Sequence, residues 1–168
     1  MREFSPETAE QLRAQLERAT AGQPARGWEK GKSPAEAGER REAVVEATFL
    51  MAAVDGKVTA LELGQFAGGI EAVFGDEAGT DFEALAKTMA ARLAAEGWDR
   101  RLAAVKAALA GTDLAETAYR LAAGVAFVDD TIEHAAAAAL EAMAGALGLS
   151  EERAQALLAE VRTELFGE

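Results

Sequence analysis

An all-α fold is predicted from three features of the chain. Its periodic stretches are filled with Ala, Leu, Glu, Arg and Met, which lose little on entering a helix. Runs of β-branched and aromatic residues are absent, and only 3 of the 168 residues are Pro. A helix–acidic turn–helix unit occurs twice. Ala53-Val54-Asp55-Gly56-Lys57-Val58 is echoed by Phe127-Val128-Asp129-Asp130-Thr131-Ile132, with Asp55 and Asp129 74 positions apart. The expectation is a compact bundle of about seven to eight helices, internally duplicated around two central helices.

Each element has its own warrant. Ser5 caps a first helix, Pro6 suits its first position, and Leu12 and Leu16 share a face. Residues 21–38 hold Pro24, Gly27, Gly31, Pro34 and Gly38. They are expected to form a connecting loop with a short helical piece near Pro34, anchored to the body by Trp28. Residues 1–38 would then pack as helix and loop on a duplicated helical domain, residues 39–168. Residues 39–54 read as a helix whose end, Phe49-Leu50-Met51-Ala52-Ala53-Val54, is apolar nearly all round and therefore central.

Asp55-Gly56-Lys57 turns the chain, and Thr59 with Glu62 forms a capping box for a helix over 59–74. Gly64, Gly68 and Gly69 cost that helix about 1 kcal/mol each against Ala, which a closely packed neighbouring backbone would explain. Thr80-Asp81-Phe82-Glu83 is a second capping box, opening a helix that Gly97 ends. A basic-flanked helix follows over 98–110, carrying Arg100, Arg101 and Lys106. After Gly111-Thr112-Asp113 comes the second central helix, 113–128. A helix over 131–147 carries a thin alanine face at 135–139 and is closed by Gly148. Ser150 caps the last helix, which runs to about residue 165.

Composition narrows the function. The formal net charge is −12, which argues against a nucleic-acid binder and against charge-driven membrane binding. Cysteine is absent, so disulfides and thiolate chemistry are excluded. The opening residues MREFSPETAEQL hold no apolar signal core. The apolar stretch 135–149 is interrupted by Glu141 and is too short to span a bilayer. A cytoplasmic protein with no membrane insertion is expected.

The acidic turns are the candidate site. Asp55-Gly56, Val58 and Glu62 match the second half of an EF-hand loop, but the first and third ligand positions fall on Met51 and Ala53, which cannot bind calcium. Two readings of this turn stay open. In one, Asp55 hydrogen-bonds its own turn, Gly56 supplies a positive φ and Glu62 completes the cap of Thr59. In the other, the acids are cation ligands. The second turn offers Asp129, Asp130, Glu133 and His134, the single histidine of the chain. It reads either as a metal site or as a solvated helix N-terminus where acids are favoured. Gly31-Lys32-Ser33 is not a phosphate-binding loop, because Arg26 stands where the first Gly is required and no strand precedes it.

The residues Ala52-Ala53-Val54-Asp55-Gly56-Lys57-Val58-Thr59-Ala60-Leu61-Glu62 resemble the TerB-like family, the tellurite-resistance TerB group and its relatives. Val128-Asp129-Asp130-Thr131-Ile132 looks like the second copy of that pattern. Gly145-Ala146-Leu147-Gly148-Leu149-Ser150-Glu151-Glu152 is similar to its ending. The resemblance covers roughly residues 40 to 165. It implies a duplicated all-α fold, a link to tellurite or chemical stress, metal binding at the acidic turns and no enzymatic activity. The second copy departs from the pattern: Asp130 replaces the Gly, and Ala136 stands where Glu62 would align.

The leading expectation is a non-enzymatic, stress-related protein that binds calcium, magnesium or manganese through oxygen ligands. Asp55, Asp129 and Asp130 would be the ligands, with Glu62 and Glu133 beside them. The alternative is a metal-free protein–protein interaction module, a monomer or weak homodimer, that docks a partner helix on the alanine face at 135–139 or on the glycine face at 64–69.

Overall fold

The computed structural model describes residue 10 and residues 34–54, 59–74, 81–111, 114–128 and 131–167. Seven helices lie among them: α1 (Pro34–Ala52), α2 (Ala60–Phe74), α3 (Phe82–Glu96), α4 (Trp98–Leu109), α5 (Leu114–Ala126), α6 (His134–Ala146) and α7 (Glu151–Phe166). The architecture is an all-α bundle, as the composition predicts. No helix among the described residues is long and apolar enough to cross a membrane.

The two central helices lie side by side, and α1 against α5 is the most extensive packing in the molecule. Every residue from 43 to 53 is buried, and so is every residue from 118 to 126. Phe49, Leu50 and Met51 are wholly inside, as their all-round apolar pattern requires. Phe66 of α2 meets Phe49 edge to face, with ring centroids 5.6 Å apart. Thr48, also fully buried, satisfies its hydroxyl by donating to the carbonyl of Val44 at 3.1 Å.

The packing does not follow the duplication. In the second half, α6 and α7 both lie on α5. In the first half, α2 packs mainly on α3, and α4 takes the long contact with α1. That contact is polar as well as apolar. Arg101 donates to Glu46 through two parallel bonds of 2.6 and 2.7 Å, and its third nitrogen reaches Glu96. The Trp98 indole donates to the carbonyl of Leu50 at 2.9 Å. On the other side, α7 is tied to α5 by Arg120 to Glu160 at 2.6 Å and by a forked Arg153–Glu116 pair at 2.7 Å.

Several boundaries differ from expectation. α1 begins at Pro34, so a helix replaces the end of the expected loop and crosses the boundary at 38/39. Ser33-Pro34-Ala35-Glu36 has the composition of a helix start, and this outweighs Gly38. The cap of α3 is Asp81, whose carboxylate accepts from the Ala84 amide at 3.1 Å, and not Thr80. Asp is among the best caps, and the shift by one residue makes Phe82 the first helical residue, buried in the core.

The second central helix stops at Ala126. Phe127–Val128 and Thr131–Ile132 then form a two-rung antiparallel ladder, and α6 starts only at His134. Phe, Val, Thr and Ile around the turn favour extended backbone. Gly64 and Gly68 face open space rather than a neighbouring backbone. The first expected helix, the loop to residue 33, Trp28 and the Gly31-Lys32-Ser33 stretch lie outside the described residues, except that Glu10 is helical.

Candidate functional site

Glu62 and Thr59 form the capping box that their spacing predicts. The Thr59 amide donates to Glu62 Oε1 at 2.9 Å, and the Glu62 amide donates to the Thr59 hydroxyl at 3.2 Å. One carboxylate oxygen of Glu62 is thereby committed to the start of α2. Glu133 is exposed and occupies the N-cap position of α6, where its side chain makes no capping bond. His134 is the first residue of α6 and is exposed. Asp55, Asp129 and Asp130 lie outside the described residues. Among the described residues, no three His, Asp or Glu side chains gather in a group that could hold a metal.

A cleft of 670 Å3 is bounded by the turn that follows α1 (Ala53, Val54), by α3 (Ala90, Leu93, Ala94), by Trp98 at the head of α4, and by the alanines of α6. All ten lining residues are apolar. On α6 the lining residues Ala135, Ala138, Ala139 and Ala142 recur at three- and four-residue spacing, one helix face. The opposite wall repeats the spacing with Ala90, Leu93 and Ala94.

The alanine face foreseen at 135–139 is thus divided. Ala136 is fully buried in the core, whereas Ala135 and Ala138 are exposed and belong to the cleft. Gly64 and Gly68 lie on an exposed side next to Leu61, which is 73 % exposed.

The cleft joins the two repeated units. Val54 lines it and directly precedes Asp55; Ala135 lines it and stands two residues after Glu133. Both acidic turns therefore adjoin its lining along the chain.

Two further residues escaped the sequence reading. Glu46 and Arg101 look like ordinary surface charges on helices, but Glu46 is 4 % exposed and wholly engaged by Arg101. Glu46 holds the Arg101 guanidinium proton more tightly than usual, against a smaller opposing effect of burial. The only signal available was the position of Glu46 within the mostly apolar stretch 43–54, three residues before Phe49. The pair is an architectural clamp rather than a reactive one, since both oxygens of Glu46 are occupied. Comparison with family models, curated proteins and solved structures finds no match to the chain.

Proposed function

We propose that this chain is a non-enzymatic binding module whose alanine-lined cleft receives an amphipathic helix of a partner protein, one with an apolar stripe between basic flanks. The observation that carries this is the 670 Å3 cleft, whose ten lining residues all bear apolar side chains. Its walls supply no acid, base or nucleophile, which favours binding over catalysis. Two helices present rows of short side chains across a groove, the arrangement into which a third helix lays its apolar face. Alanine on those rows lets the incoming backbone come close. Basic flanks follow from the net charge of −12 and from Asp55 and Glu133 next to the lining in sequence. Such a module would act in the cytoplasm as a monomer or weak homodimer.

A short synthetic helix with leucines at three- and four-residue spacing and lysine flanks tests this. Binding is read from Trp98 fluorescence in a Trp28→Phe background. Saturable binding, abolished by Ala138→Glu and absent for a glutamate-flanked helix, is the expected result. An equal response to a scrambled peptide, or no saturation at millimolar concentration, would overturn the proposal.

A second proposal rests on the repeated acidic turn and its resemblance to the TerB-like pattern. In it, the chain is a tellurite- or chemical-stress-related protein holding calcium, magnesium or manganese at Asp55, Asp129 and Asp130, with Glu62 and Glu133. Titration calorimetry on chelator-stripped protein tests it, beside Asp55→Ala/Asp129→Ala. Saturable binding lost in the variant supports it; an unchanged affinity removes it.

A further inference from the structure

A second cavity lies across α6 from the cleft. At 3.6 residues per turn, Ala135, Ala138, Ala139 and Ala142 point to one side of the helix, and Ala137, Leu140, Glu141 and Ala144 to the other. The latter group, with Tyr119 of α5 and residues of α7, lines a cavity of 450 Å3. That size suits a small organic molecule. Its side chains are apolar apart from Tyr119, Glu141, Glu151 and Gln155.

Tyr119 is the residue that needs a partner. It is 3 % exposed, yet its hydroxyl has no hydrogen-bond partner among the described residues. Buried polar side chains are almost always hydrogen-bonded, and Tyr119 lines this cavity. Burial raises its phenol above the ordinary value, so it stays protonated at neutral pH and can donate. Glu141, Glu151 and Gln155 are exposed and so mark the mouth, and no Lys, Arg or His lines the cavity. An anionic head would meet two carboxylates there, whereas an ammonium would be drawn in.

We propose that this cavity binds a small amphiphilic amine. The ammonium faces Glu141 and Glu151 at the mouth, the apolar body lies among Leu140, Leu149 and Leu158, and an inner hydroxyl or carbonyl oxygen accepts from Tyr119. The site is independent of the helix-binding cleft.

Titration calorimetry with three probes tests it: tyramine, phenethylamine and hydroxyphenylpropionate. Tyramine should bind saturably, and phenethylamine, which lacks the hydroxyl, about threefold to tenfold more weakly. Tyr119→Phe, which keeps the ring, should bring the two amines to one affinity. Glu141→Gln, at an exposed position, should weaken both amines and gives a reading that does not depend on a core substitution. Hydroxyphenylpropionate should not compete. The proposal is overturned if the propionate binds as well as tyramine, if tyramine keeps its advantage in Tyr119→Phe, or if no amine saturates at millimolar concentration.

Discussion

The indole N–H of Trp98 donates to the carbonyl oxygen of Leu50 across 2.9 Å. Leu50 lies in the last turn of α1, where carbonyls run out of amide donors. The Ala53 amide goes to Phe49 and the Val54 amide to Met51, so the indole serves the carbonyl between them. Three residues along α4, Arg101 grips Glu46, one turn back on α1. Two side chains of α4 thus set the rotation and the axial position of the central helix. Trp98→Phe keeps an aromatic ring but leaves a buried carbonyl without a donor, at a cost of about 1–3 kcal/mol. Urea denaturation should show that loss with an unchanged native circular dichroism spectrum.

The Glu46–Arg101 pair gives a larger effect. The side chains are 6 % and 12 % exposed, so truncating one leaves the other charge buried. Glu46→Leu or Arg101→Met alone should cost about 3–5 kcal/mol. The double variant should recover most of it, because replacing a whole buried pair by apolar groups is often neutral. Glu46 raises the Arg101 value above its already strongly basic ordinary one, so the contribution is complete across the neutral range and fades only at far higher pH. The double-variant cycle should therefore give the same coupling energy at pH 6 and pH 9, an expectation checked by two denaturation series.

Acid sensitivity should appear at the other polar tie. The Arg153 guanidinium holds the Glu116 carboxyl below its ordinary value of 4.5, with burial opposing in part. A lowered folded value means that the contribution is present above 4.5 and is lost as the pH falls through the folded value. Glu116→Gln should change stability little at pH 7, because both side chains are 40 % or more exposed. Below pH 4.5 its melting temperature should fall less steeply than that of the wild type. Parallel slopes would show that the pair carries no acid sensitivity.

The central helices were legible because their ends, 49–54 and 121–128, lack polar residues entirely. The caps at Thr59 and Ser150 were legible because capping acts over three residues, and both bonds are present. Leu147-Gly148-Leu149-Ser150 also closes α6 as its composition suggests. Gly148 takes a φ of 77°, and the Leu149 amide reaches back to Ala144 at 3.0 Å.

Tertiary relations were not legible. Arg101 is 55 residues from Glu46, and neither residue type signals burial. The cleft draws its walls from three helices and the turn after α1, and only the alanine run at 135–139 announced one of them. The ladder at 127–132 was missed because four extended residues around a turn do not stand out beside two long helices.

Glu62 separates two roles in a single substitution. Glutamine serves a capping box as glutamate does, but it is a poorer ligand for a hard cation. Glu62→Gln should leave urea stability within about 0.5 kcal/mol of wild type, whereas Thr59→Ala should lose about 1 kcal/mol. If Glu62 also serves a cation, the same Glu62→Gln protein should show weakened calcium or manganese binding in the titration. A marked loss of stability without added metal would contradict the capping role.

Gly97 makes the contact between α3, α4 and α1 possible, and its reason is conformational. Its backbone lies at φ 90° and ψ 161°, a region that L residues with a side chain essentially do not occupy. A Cβ at Gly97 would meet nothing within 4 Å, so crowding plays no part. The cost of Gly97→Ala should be the backbone term alone, about 1–3 kcal/mol. Gly64 and Gly68 supply the control in the same molecule. Both are helical, exposed and equally unobstructed, so Gly64→Ala and Gly68→Ala should each stabilise by about 1 kcal/mol. Opposite signs at sites of equal free space, measured by thermal unfolding, would identify backbone strain as the cause. The Gly97 turn brings Trp98 and Arg101 onto α1, so Gly97→Ala combined with Trp98→Phe should lose less than the sum of the two changes.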